Sequence, residues 1–106
     1  MCISEIKSLR DVKTIHLPAI LLLYSPGCPH CVDYHPDYLE KSHRHHGIPF
    51  ITMNVDHMKN DEIEKLDVDG IPDVRFINKN GKIARFKGDR YDEKKLMSSF
   101  ENFIKS

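Results

Sequence analysis

The feature that most constrains this fold is an apolar segment, Ala19–Tyr24, that runs directly into the turn sequence Ser25-Pro26-Gly27. A nearly continuous apolar run of this length is typical of a strand buried on both faces, and such strands lie centrally in layered α/β sheets. A helix is predicted to follow, from about Pro29 to His46, with a kink at Pro36 and a C-terminal cap at Gly47. The chain is therefore expected to build its core around a strand–turn–helix unit.

Further elements are predicted on both sides of this unit. Ser4 is expected to cap a helix that runs to about Val12, and Met1–Ile3 is a candidate edge strand. Downstream, the pattern predicts a strand Phe50–Val55, a short helix from Asn60 to Leu66, hairpin strands Asp73–Asn78 and Lys82–Lys87 joined by Asn80-Gly81, and a last helix capped by Asp92. This order, (β)αβαβαββα, predicts an α/β sandwich, a central mixed β-sheet flanked by helices on both faces.

Length and charge narrow the class of protein. A chain of 106 residues buries one core, so we expect a single domain spanning residues 1–106. Its 16 basic and 16 acidic residues give a net charge of zero, without an electrostatic footprint for nucleic acid or an anionic membrane. No apolar run approaches the ~20 residues that span a bilayer, and we see no secretory signal. We expect a monomer in the cytoplasm.

The two cysteines of Cys28-Pro29-His30-Cys31 lie where the predicted strand meets the predicted helix. With Cys28 as the N-cap, Pro29 is the first helical residue, and the backbone N–H groups of His30 and Cys31 point toward the Cys28 sulfur. These donors and the helix dipole favour the thiolate, so we expect the pKa of Cys28 to fall from about 8.5 to roughly 3.5–7.5. A protonated His30 is expected to lower it further. Cys31, one turn deeper, is placed to attack a mixed disulfide on Cys28.

These residues resemble a known family. The segment Pro26–Cys31, followed by Pro36, resembles the active-site loop and kinked helix of the thioredoxin superfamily, and its C-P-H-C tetrad is similar to that of the bacterial periplasmic oxidase DsbA. Gly70-Ile71-Pro72, just before a predicted strand, matches the place of the family's cis-proline. The resemblance covers essentially the whole chain. It implies a thioredoxin fold and a thiol–disulfide oxidoreductase that acts on protein cysteines.

The resemblance also implies a role for each residue of the tetrad. Cys28 corresponds to the nucleophile and Cys31 to the resolving thiol, together a redox-active disulfide, while Pro29 and His30 tune its pKa and potential. No cofactor and no metal are implied. The implied partners are protein thiols or disulfides and an unidentified reductase or oxidase. The direction stays open, because the tetrad suits an oxidant whereas a cytoplasmic glutathione pool keeps such a pair reduced.

A substrate groove is implied as well, with two departures from the family pattern. In the family, the backbone of the residue before the cis-proline pairs with an extended peptide, which corresponds here to Ile71 beside Pro72. Gly27 also belongs to this groove, but the family usually carries Trp there, so the platform is altered. Leu22 and Thr52 occupy the places of the family's buried acid and its neighbouring lysine. The usual proton acceptor for the resolving cysteine is therefore expected to be missing.

Two other functions stay open. The first is a glutaredoxin-like, glutathione-dependent enzyme, since Pro72-Asp73-Val74 is loosely similar to that family, although its glycine-pair motif is reduced here to Gly88-Asp89. The second is a thioredoxin-fold binding module without turnover, such as a metal chaperone that uses the two thiols. A glutathione-coupled assay and the metal content of the purified protein separate these alternatives from a protein-directed oxidoreductase.

The remaining metal-ligand residue types are interpreted as structural. His43, His45 and His46 lie near the end of the long predicted helix, where imidazolium groups complement the dipole. At 1.5 Å per residue they lie about 20 Å or more from the C-x-x-C pair, so one tetrahedral site does not include both groups. Cys2 has no visible partner and is expected to be a bystander. We therefore predict no metal site.

Overall fold

A five-stranded sheet organises the chain in the computed structural model, which describes residues 3–105. Its strands are β1 (Ile3–Ile6), β2 (Ala19–Tyr24), β3 (Phe50–Asn54), β4 (Asp73–Ile77) and β5 (Ile83–Arg85), in the spatial order β1-β3-β2-β4-β5. β1 and β2 run parallel to β3, whereas β4 is antiparallel to both β2 and β5. The predicted mixed sheet with the Ala19–Tyr24 strand near its centre is confirmed.

Helices cover both faces of this sheet, as predicted. They are α1 (Pro29–Arg44), α2 (Asn60–Leu66) and α3 (Glu93–Lys105), with 3₁₀ turns at Leu9–Thr14 and Val55–His57. Successive side chains of β2 point to opposite faces, so the strand contributes to two apolar clusters. One cluster joins β2 to α1 and α3 through Ile20, Leu22, Tyr34, Tyr38, Leu96 and Phe100. The other joins β2 to the first 3₁₀ turn and α2 through Leu21, Leu23, Val12 and Leu66.

A buried tyrosine fixes α1 over the centre of the sheet. The Tyr38 hydroxyl lies 2.9 Å from the Ile20 carbonyl oxygen and 2.7 Å from that of Ile51, so it touches two neighbouring strands. Its ring packs edge-on against Phe50, with the centroids 5.3 Å apart. This anchor sets the height of the helix above β2 and hence the position of its first turn. Within residues 3–105, no helix is long and apolar enough to cross a membrane.

The N-terminal segment differs from its prediction. The predicted helix from Ser4 to Val12 is wrong: Ile3–Ile6 forms β1, which pairs with the open edge of β3. Ser8, rather than Ser4, caps the following 3₁₀ turn, and the carboxylate of Asp11 accepts hydrogen bonds from the Lys7 and Ser8 N–H groups. Ser8 has an acid three residues later and Ser4 does not, which explains the choice of cap. Met1 and Cys2 lie outside the described residues.

Two caps were also predicted at the wrong residues. α1 ends at Arg44 with His45 as its C-cap, and Gly47, two residues further on, does not have the left-handed backbone expected of a glycine cap. Lys59 is the N-cap of α2, and Asn60 is its first helical residue. The hairpin between β4 and β5 does use the predicted glycine, because Gly81 has a φ of 84°. These are shifts of one or two residues that leave the architecture unchanged.

Candidate active site

Strand direction brings three loops to one edge of the sheet. Because β4 is antiparallel to β2, Asp73 at the start of β4 pairs with Leu23 near the end of β2. The loop before Asp73 therefore lies beside the loop that follows β2. β5 is antiparallel to β4, so the chain after Arg85 returns to the same edge. The C-x-x-C segment, the Ile71–Pro72 peptide and the segment from Arg85 onward consequently surround one site.

Cys28 is the N-cap of α1, as the sequence predicts. Its backbone is extended, with φ −94° and ψ 113°, and the Cys31 N–H donates to the Cys28 sulfur over 3.3 Å. Pro29 occupies the first turn, where a missing N–H leaves no donor unsatisfied. The Cys28 thiol is partly buried and donates to the Ile71 carbonyl oxygen at 3.8 Å. The Ile71–Pro72 peptide bond is cis. Both cysteine thiols are free.

The pKa values of the two sulfurs are shifted in opposite directions. Hydrogen bonding from the Cys31 side chain, helped by the backbone N–H groups of Cys31 and His30, lowers the pKa of Cys28 against a smaller effect of burial. Burial raises the pKa of Cys31 to about 11, and its hydrogen bond to Cys28 and the Cys28 charge act in the same direction. Cys28 is therefore the sulfur that ionises first, and Cys31 keeps its proton well above neutral pH.

His30 contributes to the lowered pKa of Cys28 through its backbone N–H group. Its side chain is exposed at the second position of α1. Its N–H is among the groups that lower the pKa of Cys28, whereas a charge on the imidazole is not. Among the described contacts, none joins the imidazole to either sulfur. The predicted tuning by a protonated His30 therefore stays a prediction.

Arg90 is the residue that the sequence interpretation missed. Its charge lowers the pKa of both cysteines. The guanidinium carbon lies 5.6 Å from the ring centroid of Tyr34 and also 5.6 Å from that of Tyr91, and the Arg90 carbonyl accepts the Tyr34 hydroxyl proton over 2.9 Å. The order of the predicted strands could have indicated it. In a hairpin the two strands run in opposite directions, so the chain after the second strand returns to the edge of the sheet where β2 ends.

Apolar surface surrounds the cysteines, although the chain has no Trp. Val32, the residue after Cys31, is 58% exposed, and Tyr91, whose ring lies against the Arg90 guanidinium, is 49% exposed. A cavity of about 250 Å³ adjoins Cys31. It is lined by Leu22, Tyr24, Ser25, Pro26, Cys31, Val32, His35 and Pro36. Space around Gly27 is open, because a Cβ there meets nothing within 4 Å.

Leu22 and Thr52, which occupy the places of the family's buried acid and lysine, have the following surroundings in the structure. Leu22 is buried in the core, and Thr52 donates to the carboxylate of Glu5 over 2.6 Å. The Tyr24 hydroxyl donates to the same carboxylate at 2.8 Å, and burial followed by this bond raises the pKa of Tyr24 to about 12. Among residues 3–105, no carboxylate is hydrogen-bonded to the Cys31 thiol. Glu5, on the edge strand, is thus the acid bonded to the threonine at this place.

The histidine cluster serves as a contact between helices. His45 Nε2 lies 2.8 Å from the Glu93 carboxylate at the start of α3, and its ring stacks over Phe50. His43 and His46 are exposed at the end of α1. In the part of the chain from residue 3 to 105, no group of three or more His, Cys, Asp or Glu side chains is arranged to hold a metal ion. The prediction for Cys2 lies outside the described residues.

A mixed sheet with helices on both faces and a C-x-x-C at the first turn of α1 defines a thioredoxin-fold protein. A family model named Thioredoxin matches residues 7–102, and the chain belongs to this family. No curated protein sequence matches the chain significantly. The family fold and the adjacent cysteine pair support the general class of thiol oxidoreductases.

Solved structures agree with this fold. Reduced thioredoxin pre-protein from Schistosoma mansoni is 18% identical, with a TM-score of 0.75 over 98% of this chain and 100% of that one. The short form of thioredoxin f from spinach chloroplast is 16% identical, with a TM-score of 0.76 over 99% and 95% of the two chains. The first thioredoxin domain of mouse protein disulfide-isomerase A4 is 16% identical, with a TM-score of 0.77 over 94% and 74%. At these identities the likeness concerns the fold alone.

Proposed function

We propose that the protein is a thiol–disulfide oxidoreductase that acts on protein cysteines through Cys28 and Cys31. The observation that carries the proposal is the difference in acidity between the two sulfurs, which lie on adjacent turns of one helix end. The partly exposed Cys28 has a lowered pKa, and the buried Cys31 has a pKa of about 11. Cys28 is therefore the sulfur that ionises more readily and attacks first, and the protonated Cys31 lies next to it for the second step.

In the proposed reaction, the Cys28 thiolate attacks one sulfur of a substrate disulfide. A bond forms between Cys28 and that sulfur, the substrate S–S bond breaks, and the leaving thiolate takes a proton from solvent. Cys31 then loses its proton and attacks the Cys28 sulfur, which releases the second substrate thiol and leaves a Cys28–Cys31 disulfide. The substrate gains two electrons and the protein loses two. A second protein dithiol restores the reduced pair, and the same steps in reverse oxidise a substrate dithiol.

Formation of the mixed disulfide makes the Cys31 thiol easier to deprotonate. Two of the causes that raise the pKa of Cys31 are its hydrogen bond to Cys28 and the charge of the Cys28 thiolate. Both weaken once the Cys28 sulfur is joined to the substrate, because that sulfur then carries no charge. The attraction of Arg90 persists and continues to lower the pKa of Cys31. Deprotonation of the second thiol therefore becomes easier only after the first bond has formed.

The proposed peptide site is the backbone beside the reactive sulfur. Cys28 lies 3.8 Å from the Ile71 carbonyl oxygen, so a substrate cysteine bound to Cys28 would pass close to this peptide unit. An extended chain would pair with the Ile71 backbone as an added strand. Pro72 would shape one wall of the groove, and Gly27 leaves the opposite side open. Main-chain pairing of this kind accepts varied side chains, which suits a protein-directed enzyme.

The test is trapping of the intermediate. In a Cys2→Ser background, which removes the third thiol, Cys31→Ser is expected to accumulate a mixed disulfide with a reducible protein substrate. The adduct is measured by intact mass before and after reduction. Cys28→Ser in the same background is the matched control and should form no adduct. A folded Cys31→Ser protein that gives none, or whose adduct involves only glutathione, would contradict a protein-directed oxidoreductase.

A further inference from the structure

A second cavity adjoins the Ile71–Pro72 peptide, and neither Cys28 nor Cys31 lines it. It has a volume of about 330 Å³, and two arginines from the β5 side, Arg85 and Arg90, line it together with the acids Asp69 and Asp73. Ile71 belongs to this cavity and is also the contact of the Cys28 thiol, so cavity and sulfur share one peptide unit. We call this cavity the arginine pocket.

Arg90, which lines this pocket, has one buried donor without an acceptor. Its Nε atom is buried and has no hydrogen-bond partner in the described part of the chain. The guanidinium carbon lies over the rings of Tyr34 and Tyr91, and neither ring supplies an acceptor in the plane of the Nε–H group. No carboxylate within residues 3–105 forms an ion pair with it. A buried donor without an acceptor is unfavourable, and a ligand oxygen that accepts its hydrogen bond would remove this cost.

Arg85 is in a similar state at one nitrogen only, because Nη2 donates to the Asp67 carbonyl oxygen whereas Nε has no acceptor. Its Nε is also buried without a hydrogen-bond partner in the described chain, and it lies 3.7 Å from the Asp73 carboxylate. That carboxylate is already bound by Arg75 through two bonds of 2.9 and 2.8 Å. Asp69 lies 3.9 Å from Arg85 and is 80% exposed. The acids of the pocket are therefore either occupied or solvated, and neither satisfies an Nε donor.

We propose that the arginine pocket binds a carboxylate of the substrate polypeptide, so that the enzyme favours disulfides flanked by Asp or Glu. The inference rests on the proposed function and adds a substrate class to it. A guanidinium is suited to a carboxylate because its planar donors match the two oxygens. An extended peptide paired with the Ile71 backbone projects alternate side chains to one side, and one of them would enter the pocket next to Pro72.

The test compares peptide disulfides that differ only in one flanking residue. Glu and Gln are scanned through the positions on either side of the reacting cysteine, and kcat/KM is measured for each peptide with the wild-type protein. We expect the Glu peptide to exceed its Gln partner by about 5- to 10-fold at one position, the effect of one charge-assisted hydrogen bond at a partly solvated site. The preference should shrink at high salt.

Variants assign the preference to the pocket. Arg90→Gln should bring the Glu/Gln ratio close to 1, whereas Arg90→Lys should keep only part of it. The ratio is the readout because a change in the reactivity of Cys28 affects both peptides equally. Arg10→Gln, at an exposed arginine of the first 3₁₀ turn, is the matched control and should keep the full ratio.

Each outcome separates this inference from the proposed function. Turnover of the Glu and Gln peptides at equal rates by the wild-type protein would overturn carboxylate binding and leave the oxidoreductase in place. No turnover of any peptide would overturn the oxidoreductase itself. Glutathione disulfide carries carboxylates too. If Arg90→Gln slowed its turnover more than that of the Gln peptide while the Glu/Gln peptide ratio stayed the same, the carboxylate would come from glutathione and the inference about polypeptides would be wrong.

Discussion

The two ends of α1 differ in the ionisable groups that lie next to the helix dipole. At the N-terminal end, the first turn has no acidic residue, and the Cys28 sulfur accepts the Cys31 N–H. At the C-terminal end, Arg44 and His45 both form a hydrogen bond with Glu93, the first residue of α3. The positive end of the helix dipole therefore acts on an ionisable sulfur, whereas its negative end is faced by the Arg44 guanidinium, which Glu93 of α3 holds in place.

The ionisable group at one end of α1 is accessible to solvent, whereas the charged group near the other end is buried and structural. The Cys28 sulfur is partly exposed, so the thiolate that the helix end favours can meet a substrate. The Lys41 ammonium near the other end is fully buried, bonds to Asp37 and lies 5.5 Å from the Tyr34 ring. No substrate reaches such a charge. Its removal should change the stability of the protein and leave the chemistry of the cysteines alone.

Asp37→Asn should produce the largest effect, because it takes the carboxylate away from a buried ammonium. Lys41 is 0% exposed, and Asp37 is its ion-pair partner one helical turn away. Removing one member of a buried pair costs about 3–5 kcal/mol. Water reaches this site, because the Asp37 side chain is 30% exposed. We therefore expect the free energy of unfolding to fall by roughly 2–4 kcal/mol in urea titrations.

The control for this prediction lies on the same helix. Glu40 is 71% exposed and 3.4 Å from Arg44, so Glu40→Gln should cost less than about 0.5 kcal/mol. The pKa of Cys28 should be the same in both variants, because neither acid is among the groups that shift it. An Asp37→Asn protein as stable as the wild type would mean that Lys41 is not held there by its charge.

Gly27→Glu sharpens the comparison at the reactive end. A carboxylate next to the positive end of the dipole competes with the thiolate, an effect of about 0.3–1 kcal/mol, so the pKa of Cys28 should rise by about 0.2–0.7 unit. The change is measured from the pH dependence of alkylation. Gly47→Glu is the matched control, because a Cβ at either glycine meets nothing within 4 Å. It should leave the pKa of Cys28 unchanged. A rise in both variants, or in neither, would remove the helix end as the cause.

Local rules were enough to predict that Cys28 is the N-cap of α1. The N-cap role of Cys28 depends on a residue three positions later, and the strand before it is marked by its own apolar side chains. The Ile71–Pro72 loop was placed by a resemblance, because nothing local says which distant loop meets the cysteines. Arg90 was missed for the same reason, since its relation to the sulfurs exists only after β4 and β5 have paired.

The N-terminal error has a different physical origin. Ile6, Leu9 and Val12 have the spacing of a helical face, but the first of them lies in a strand and the other two in a 3₁₀ turn. What decides between the two states is the unpaired edge of β3, which β1 fills with a parallel ladder. A window of sequence contains no information about an edge formed by residues far along the chain. Tertiary pairing therefore overrode a local periodicity.

Glu93→Gln has the smallest expected effect and tests whether charge anchors the far end of α1. Hydrogen bonding from Arg44, with a smaller contribution from His45, lowers the pKa of Glu93 to about 2 from 4.5. A carboxyl group with a lowered pKa stabilises the fold above its unfolded pKa, and this contribution disappears as the pH falls from about 4.5 toward 2. Glu93 is 29% and Arg44 49% exposed, so solvent screens the interaction and we expect about 0.5 kcal/mol at neutral pH.

The pH dependence distinguishes the charge from the shape of Glu93. In urea titrations, the wild type should be more stable than Glu93→Gln near pH 7, and the two curves should converge near pH 2. Glu101→Gln, at an exposed acid of the same helix, should match the wild type at both pH values. A stability difference that does not change with pH would mean that α1 and α3 are joined by packing around Glu93 and that its carboxylate charge contributes nothing.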